Sequence, residues 1–164
     1  MTGLAPTRMC AILLNDHHLA LIRRERPDGV QHSLPGGLLQ LGEDPYAALR
    51  RELLEELGLD PDDLPVPPVL RFIQEQETQR PGEAARFRRR HLVFTARLPD
   101  HLHRAVAAVE QDDPGRAPVE WIPLADAVGL HLYPAVGPVL HQAAEPAAGP
   151  VLLAPMTSTS YQWR

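Results

Sequence analysis

The chain has 164 residues, of which 44% are apolar and 23% charged, and its formal net charge is −5. That length predicts one domain with a substantial core, and the acidic balance excludes a general nucleic-acid binder, which would carry a basic face. No apolar run approaches the ~18 residues of a membrane-spanning helix, and the single cysteine, Cys10, excludes an internal disulfide.

In chain order, residues 1–16 lack a basic stretch followed by a long apolar run, so no signal peptide is expected and the predicted location is the cytoplasm. Residues 8–15 read as a strand, with Cys10 as a buried structural thiol, and residues 19–25 as a second strand closing a hairpin. A loop over 26–33, punctuated by Asp28-Gly29, leads into a glycine-marked extended segment at 34–43. A helix follows over roughly 45–57, then a proline-rich connector. Strands are expected at 69–77, 91–98 and 119–124. A polar, basic loop separates the first two, and a long irregular acidic stretch precedes the third. Two short helices are predicted within 124–144. The tail from Glu145, rich first in Ala/Pro and then in Ser/Thr, is expected to be poorly ordered or bound to a partner. Strands with helices between and after them predict an α/β layer fold.

The helix carries the chemistry. Asp44 suits its N-cap, Pro45 its first position and Gly58 the position past its end. At 100° per residue, Tyr46, Leu49, Leu53, Leu54 and Leu57 form an apolar side. Glu52, Glu55 and Glu56 form the adjoining stripe, with Ala48 one turn earlier, while Arg50 and Arg51 are placed toward other sides. Like charges at this spacing destabilise a helix by a few tenths of a kcal/mol per pair. A solvated acidic face would explain them, but such a face would interleave cations. Three convergent carboxylates instead suit a hard divalent cation such as Mg²⁺ or Mn²⁺.

Gly37, Glu43, Arg51, Glu52, Leu53, Glu55, Glu56, Gly58 and Leu59 fill every defined position of the Nudix box, which the stretch therefore resembles. The box marks hydrolases of a nucleoside diphosphate linked to another group. The resemblance implies the Nudix fold, an α/β/α sandwich around a mixed sheet, over residues 1–144, with 145–164 as a tail. It implies that Glu52, Glu55 and Glu56 bind metal with the Gly36 carbonyl, that Glu43 and Arg51 brace the loop and orient the metal-binding carboxylates, and that Glu52 or Glu55, or a residue outside the box, serves as general base. It also implies a nucleotide as partner, with no nucleic acid or membrane, and a homodimer. More weakly, Arg23 or Arg24 is similar in position to phosphate-touching residues. Glu110, Asp112 and Asp113 resemble a late metal-binding loop, for which a solvated acidic loop is an equal reading.

In the MutT-like branch of the family an oxidised purine is read by an Asn whose place here falls near Val136, so specificity for 8-oxo-dGTP is not expected. Residues 86–91, "RFRRRH", with Arg88 central, are read either as a basic rim for polyphosphate or as a solvated loop. Two other readings compete with a hydrolase. One is a Nudix-fold binding module that has lost catalysis, although the box carboxylates are all present. The other is an isopentenyl-diphosphate isomerase-like enzyme, which needs an active-site cysteine and fits Cys10 poorly.

Overall fold

The computed structural model describes residues 3–146 and 149–164. A mixed sheet runs through the molecule. Its strands are β1 (Thr7–Asn15), β2 (His18–Arg26), β3 (Gly29–Ser33), β4 (Gly36–Leu38), β5 (Val69–Gln79), β6 (Arg86–Arg97), β7 (Val119–Pro123), β8 (Leu132–Tyr133), β9 (Val151–Leu152) and β10 (Met156–Thr157). The main path is β10-β5-β6-β1-β2-β3-β8, with β4 paired to β1, β7 to β2 and β9 to β5. Helices α1 (Pro45–Leu57), α2 (Asp100–Ala105), α3 (Leu124–Ala127) and α4 (Leu140–Ala143), with two short 3-10 helices at Pro61–Asp63 and Gly137–Val139, complete the described elements. Among the described residues, no helix is long and apolar enough to cross a membrane.

β1 explains the layering. Met9 to Leu14 are all buried, because the strand is covered on both faces. Met9, Ala11 and Leu13 pack with Leu49, Leu53 and Leu57 of α1. Cys10, Ile12 and Leu14 pack on the other side with Ala127, Leu132, Val136 and Leu140. The result is the expected α/β/α sandwich. Each fully buried leucine of α1 contributes about 1.5–3 kcal/mol. Cys10 is wholly buried, and burial pushes its thiol up to about 11, as suits an inert core residue.

The helix ends fall where the caps place them. The Asp44 carboxylate accepts the Ala47 N–H at 2.8 Å, and Gly58 closes the helix in the left-handed region at φ 65°. The predicted apolar stripe is corrected at two positions. Leu54 is exposed, and Tyr46 lies at the edge with its hydroxyl donating to Asp62, whereas Ala48 is fully buried. Only the narrower stripe Ala48–Leu49–Leu53–Leu57 reaches β1, since a long aromatic there would hold the helix off the sheet.

Three further expectations change. Gly29–Ser33, read as loop, pairs with β2 on one side and β8 on the other. The irregular stretch after residue 98 opens with α2. The basic loop ends at residue 85. Residues 86–91 are instead strand, where Arg86 and Arg88 pair across to Glu77, and Arg90 to Glu75. Opposite charges facing across an antiparallel pair stabilise strand over loop.

The tail is also corrected. Residues 147 and 148 lie outside the described residues, but 149–164 pack on the sheet. β9 and β10 both add to β5. Tyr161 is buried with its hydroxyl accepting from Gln31 Nε2 at 2.5 Å, and Trp163 donates to Thr78 Oγ1 at 3.1 Å. The tail lacks hydrophobic periodicity, yet two aromatic anchors with polar ends are enough to dock it. Tyr161→Ala is expected to cost roughly 2–4 kcal/mol in urea unfolding of the full chain, as for other buried aromatics. A loss below about 0.5 kcal/mol, the range of ordinary surface changes, would mean that the tail is not part of the fold.

Candidate active site

The glycine turn sets the first half of the site. Gly36 runs antiparallel against Cys10 at φ 150°, where a Cβ would lie 2.0 Å from the Met9 carbonyl oxygen. Only glycine allows that approach. Its N–H, turned toward α1, donates to Glu56 Oε2 at 2.8 Å. At Gly37 a Cβ would fall 2.2 Å from the Glu52 carboxyl carbon, so this glycine leaves the space that Glu52 fills. The sequence expectation gave Gly36 a role through its carbonyl; the contact present in the structure is through its amide.

Arg51 joins the turn to the helix. Its Nε and Nη2 donate to the two oxygens of Glu43 at 2.6 and 3.0 Å, and Nη2 also reaches the Leu38 carbonyl at 3.0 Å. Nη1 donates to Glu52 Oε1 at 2.6 Å and contacts Glu55 Oε2 at 3.5 Å. The placement of Arg51 away from the glutamates is therefore corrected. A long side chain swings across more of the helix surface than its Cα angle suggests. Arg50 does point elsewhere, to Asp60 and Asp62. The Arg51 guanidinium, with the Gln40 amide, holds Glu43 below the usual carboxylate range.

The second half comes from the loop before β7. Gln111 N–H donates to the Glu56 carbonyl and Ala107 N–H to the Leu57 carbonyl, capping the end of α1. This capping brings Glu110 and Asp112 beside the helix. Glu52, Glu55 and Asp112 place carboxylate oxygens within 4.8 Å of one another, and so do Glu56, Glu110 and Asp112. Asp112 is common to both groups. Asp113 turns instead to Arg24 and to the Gly115 amide.

Cationic relief within this group is sparse. Arg24 makes a two-pronged contact with Glu110, both bonds at 2.9 Å. Arg24 is thus held by Glu110, Arg23 by Glu25 and Glu120, and Arg88 by Glu77 on the β5–β6 hairpin. Of these three arginines, only Arg24 contacts the carboxylate group. Glu56 is 4% exposed, and burial, followed by the Glu110 charge, raises its pKa far above the usual range against the pull of the Gly36 amide and of Arg8. Burial also raises Glu52, against Arg51, with Glu55 and Asp112 adding to the rise. Arg8 was not singled out from sequence. It sits in a strand expected to be apolar, and only the fold reveals its nearness to Glu56.

The donor set is oxygen throughout, crowded and short of counter-charge. That combination fits a hard divalent cation, since ionised carboxylates gathered this closely need one.

The NUDIX domain family model matches residues 4–142. Among solved structures, a MutT protein from Bacillus halodurans aligns at TM-score 0.61 and 16% identity, over 85% of this chain and 83% of that one. A MutT NUDIX hydrolase from Burkholderia pseudomallei aligns at TM-score 0.61 and 21% identity, over 85% and 98%. An Ap4A hydrolase from C. elegans aligns at TM-score 0.56 and 14% identity, over 85% and 96%. These likenesses establish the fold. No curated protein matches the chain. With the family model covering most of the sequence, and the box residues gathered as described, the chain belongs to the NUDIX domain family.

Proposed function

We propose that the chain is a Mg²⁺-dependent Nudix pyrophosphohydrolase, with Mn²⁺ able to replace Mg²⁺, acting on a nucleoside triphosphate or a nucleotide-sugar-like diphosphate. The observation that carries this reading is the pair of carboxylate groups, Glu52–Glu55–Asp112 and Glu56–Glu110–Asp112, that share Asp112 beside the glycine turn. A cytoplasmic protein acting on a small nucleotide, alone or as a homodimer, belongs to the same reading. A silent binding module would have the same fold, but a complete set of carboxylates favours hydrolysis.

Glu52, Glu56, Glu110 and Asp112 would hold the cation, with Glu55 at the open edge. A divalent cation held there would neutralise phosphate oxygens and acidify a water molecule. Arg51 positions Glu52 and Glu55 by direct contact, and Glu43 positions Arg51. Glu55 is about half exposed and held only by the long Arg51 contact, so it is free to take the proton of the attacking water. Displacement at phosphorus then breaks the P–O–P bridge. Val136 is buried in the core and offers a base no side-chain hydrogen bond.

Phosphate and pyrophosphate release over a panel of nucleotides should depend on Mg²⁺ or Mn²⁺, with 8-oxo-dGTP and dGTP turned over comparably. Silence on every nucleotide with metal present would favour the binding module, and a strong preference for the oxidised base would contradict the role given to Val136.

Glu56 yields a second expectation. Its folded pKa is raised from the ordinary 4.5 to about 9 without metal. Between those values the folded state keeps a proton that the unfolded state has released, so metal-free stability should fall as pH rises across that window. Glu56→Gln mimics the protonated acid. It should remove that slope, leave the melting temperature near neutral pH unchanged or raised, and lower kcat by roughly 100-fold or more. A large loss of stability in this variant would make Glu56 a structural residue instead.

A further inference from the structure

The glycine turn that brings Gly36 to Glu56 is held at its head by Leu34. The Leu34 N–H donates to the Tyr133 carbonyl at 3.0 Å, and the Leu34 carbonyl accepts from Arg8 Nη2 at 2.7 Å. The next carbonyl, that of Pro35, accepts from the Ala11 N–H at 3.0 Å. These bonds fix the turn before Gly36 donates to Glu56 at 2.8 Å.

A neutral donor would satisfy the Leu34 carbonyl, yet the residue present is an arginine. Its other terminal nitrogen, Nη1, is buried without a hydrogen-bond partner, an arrangement that costs stability. What arginine adds is a flat cation that packs on an aromatic face. Arg8 Cζ lies 5.4 Å from the centroid of the Tyr133 ring. Arg8 therefore joins the Leu34 carbonyl to the side chain of the residue whose backbone holds the Leu34 N–H.

Tyr133 is fixed in turn by a buried polar chain that ends in the C-terminal tail. Its hydroxyl donates to Gln76 Oε1 at 3.0 Å, and His91 Nε2 lies 2.8 Å from the same oxygen. Gln76 Nε2 donates to Thr78 Oγ1 at 3.2 Å, and Trp163 Nε1 donates to that oxygen at 3.1 Å. Gln76, Thr78 and His91 are at most 2% exposed, so water does not replace a lost link. The Trp163 ring also lies 5.9 Å from the Tyr133 ring. Trp163 falls outside residues 4–142, the stretch matched by the family model, so the far end of this chain of contacts belongs to this protein and not to the family pattern.

We propose that Arg8 is a positioning residue of the active site, which holds the glycine turn where Gly36 meets Glu56, and that the C-terminal tail holds Arg8 in place through Trp163, Thr78, Gln76 and Tyr133. The effect on catalysis rests on the function proposed above. The effect on the turn does not.

Hydrogen exchange at the Gly36 amide, followed by NMR in the isotope-labelled, metal-free full chain, measures how firmly the turn is held. Exchange at Leu53 in α1 is the reference that removes any general loss of stability. Arg8→Met removes the donor and the flat cation, and should speed Gly36 exchange relative to Leu53 by about tenfold or more. Arg8→Lys restores a donor and should recover part of that change. Trp163→Phe keeps a ring and removes the bond to Thr78. It should speed exchange by a smaller factor, and should add nothing when combined with Arg8→Met. Tyr133→Phe, which cuts the chain at Gln76, serves if Arg8→Met does not fold. In nucleotide hydrolysis the variants should fall in the same order in kcat, with about a tenfold loss for Arg8→Met and KM nearly unchanged. Unchanged Gly36 exchange in either single variant, or additive effects in the double variant, would overturn the role given to Arg8 and the tail. A rise in kcat in Trp163→Phe would do the same, by making the tail inhibitory. If the unaltered chain cuts no nucleotide, the hydrolase reading falls and exchange at Gly36 alone decides.

Discussion

The carboxyl of Glu56 is buried against the amide of Gly36, and the surrounding structure is arranged to permit that contact. Gly36 must lie flat on β1, which requires its missing Cβ and its positive φ. Helix α1 must approach the same strand closely, which it does by presenting Ala48 and three leucines rather than Tyr46 or Leu54. Charge crowding then has to be managed. Arg51 compensates Glu43, Glu52 and, at a longer distance, Glu55, while Arg24 compensates Glu110. Glu56 receives the Gly36 amide and the pull of Arg8, but burial and the Glu110 charge outweigh them and push its carboxyl up to about 9. The helix tolerates its like charges because tertiary packing of one face outweighs repulsion worth a few tenths of a kcal/mol per pair.

Much of this was readable in the sequence because the signals are local. Asp44, Pro45 and Gly58 mark the ends of α1 through cap chemistry, which needs no knowledge of distant residues. The β1–β2 hairpin follows from two apolar runs and a short turn. The box residues likewise sit within one loop and one helix, so their spacing alone brings them together. Glu110 and Asp112 could be named from sequence only as one of two readings. What distinguishes them is the docking of the Ala107–Gln111 backbone on the end of α1, a contact between segments far apart in the chain.

The errors share a physical cause. Gly29–Ser33 is short and polar, and becomes a strand because β2 and β8 flank it. Arg86, Arg88 and Arg90 alternate with the less exposed Phe87 and Arg89, but that alternation is informative only once Glu75 and Glu77 stand opposite. Arg51 was misplaced because helical angle describes the Cα and not the tip of a long side chain. In the tail, Tyr161 and Trp163 find Gln31 and Thr78, partners that no local pattern identifies. Those same anchors hold the tail beside the segment from Val128 to Pro138, around a cavity of about 480 Å³.

The central claim is that the carboxylate group is built for a cation and holds a proton in its place. Calorimetric titration of the metal-free chain with Mn²⁺ near neutral pH, in buffers of different ionisation enthalpy, measures ion and proton together. Binding with release of about one proton per ion, and loss of that release in Glu56→Gln, is the predicted result. No binding, or binding with identical proton release in both proteins, would contradict the account.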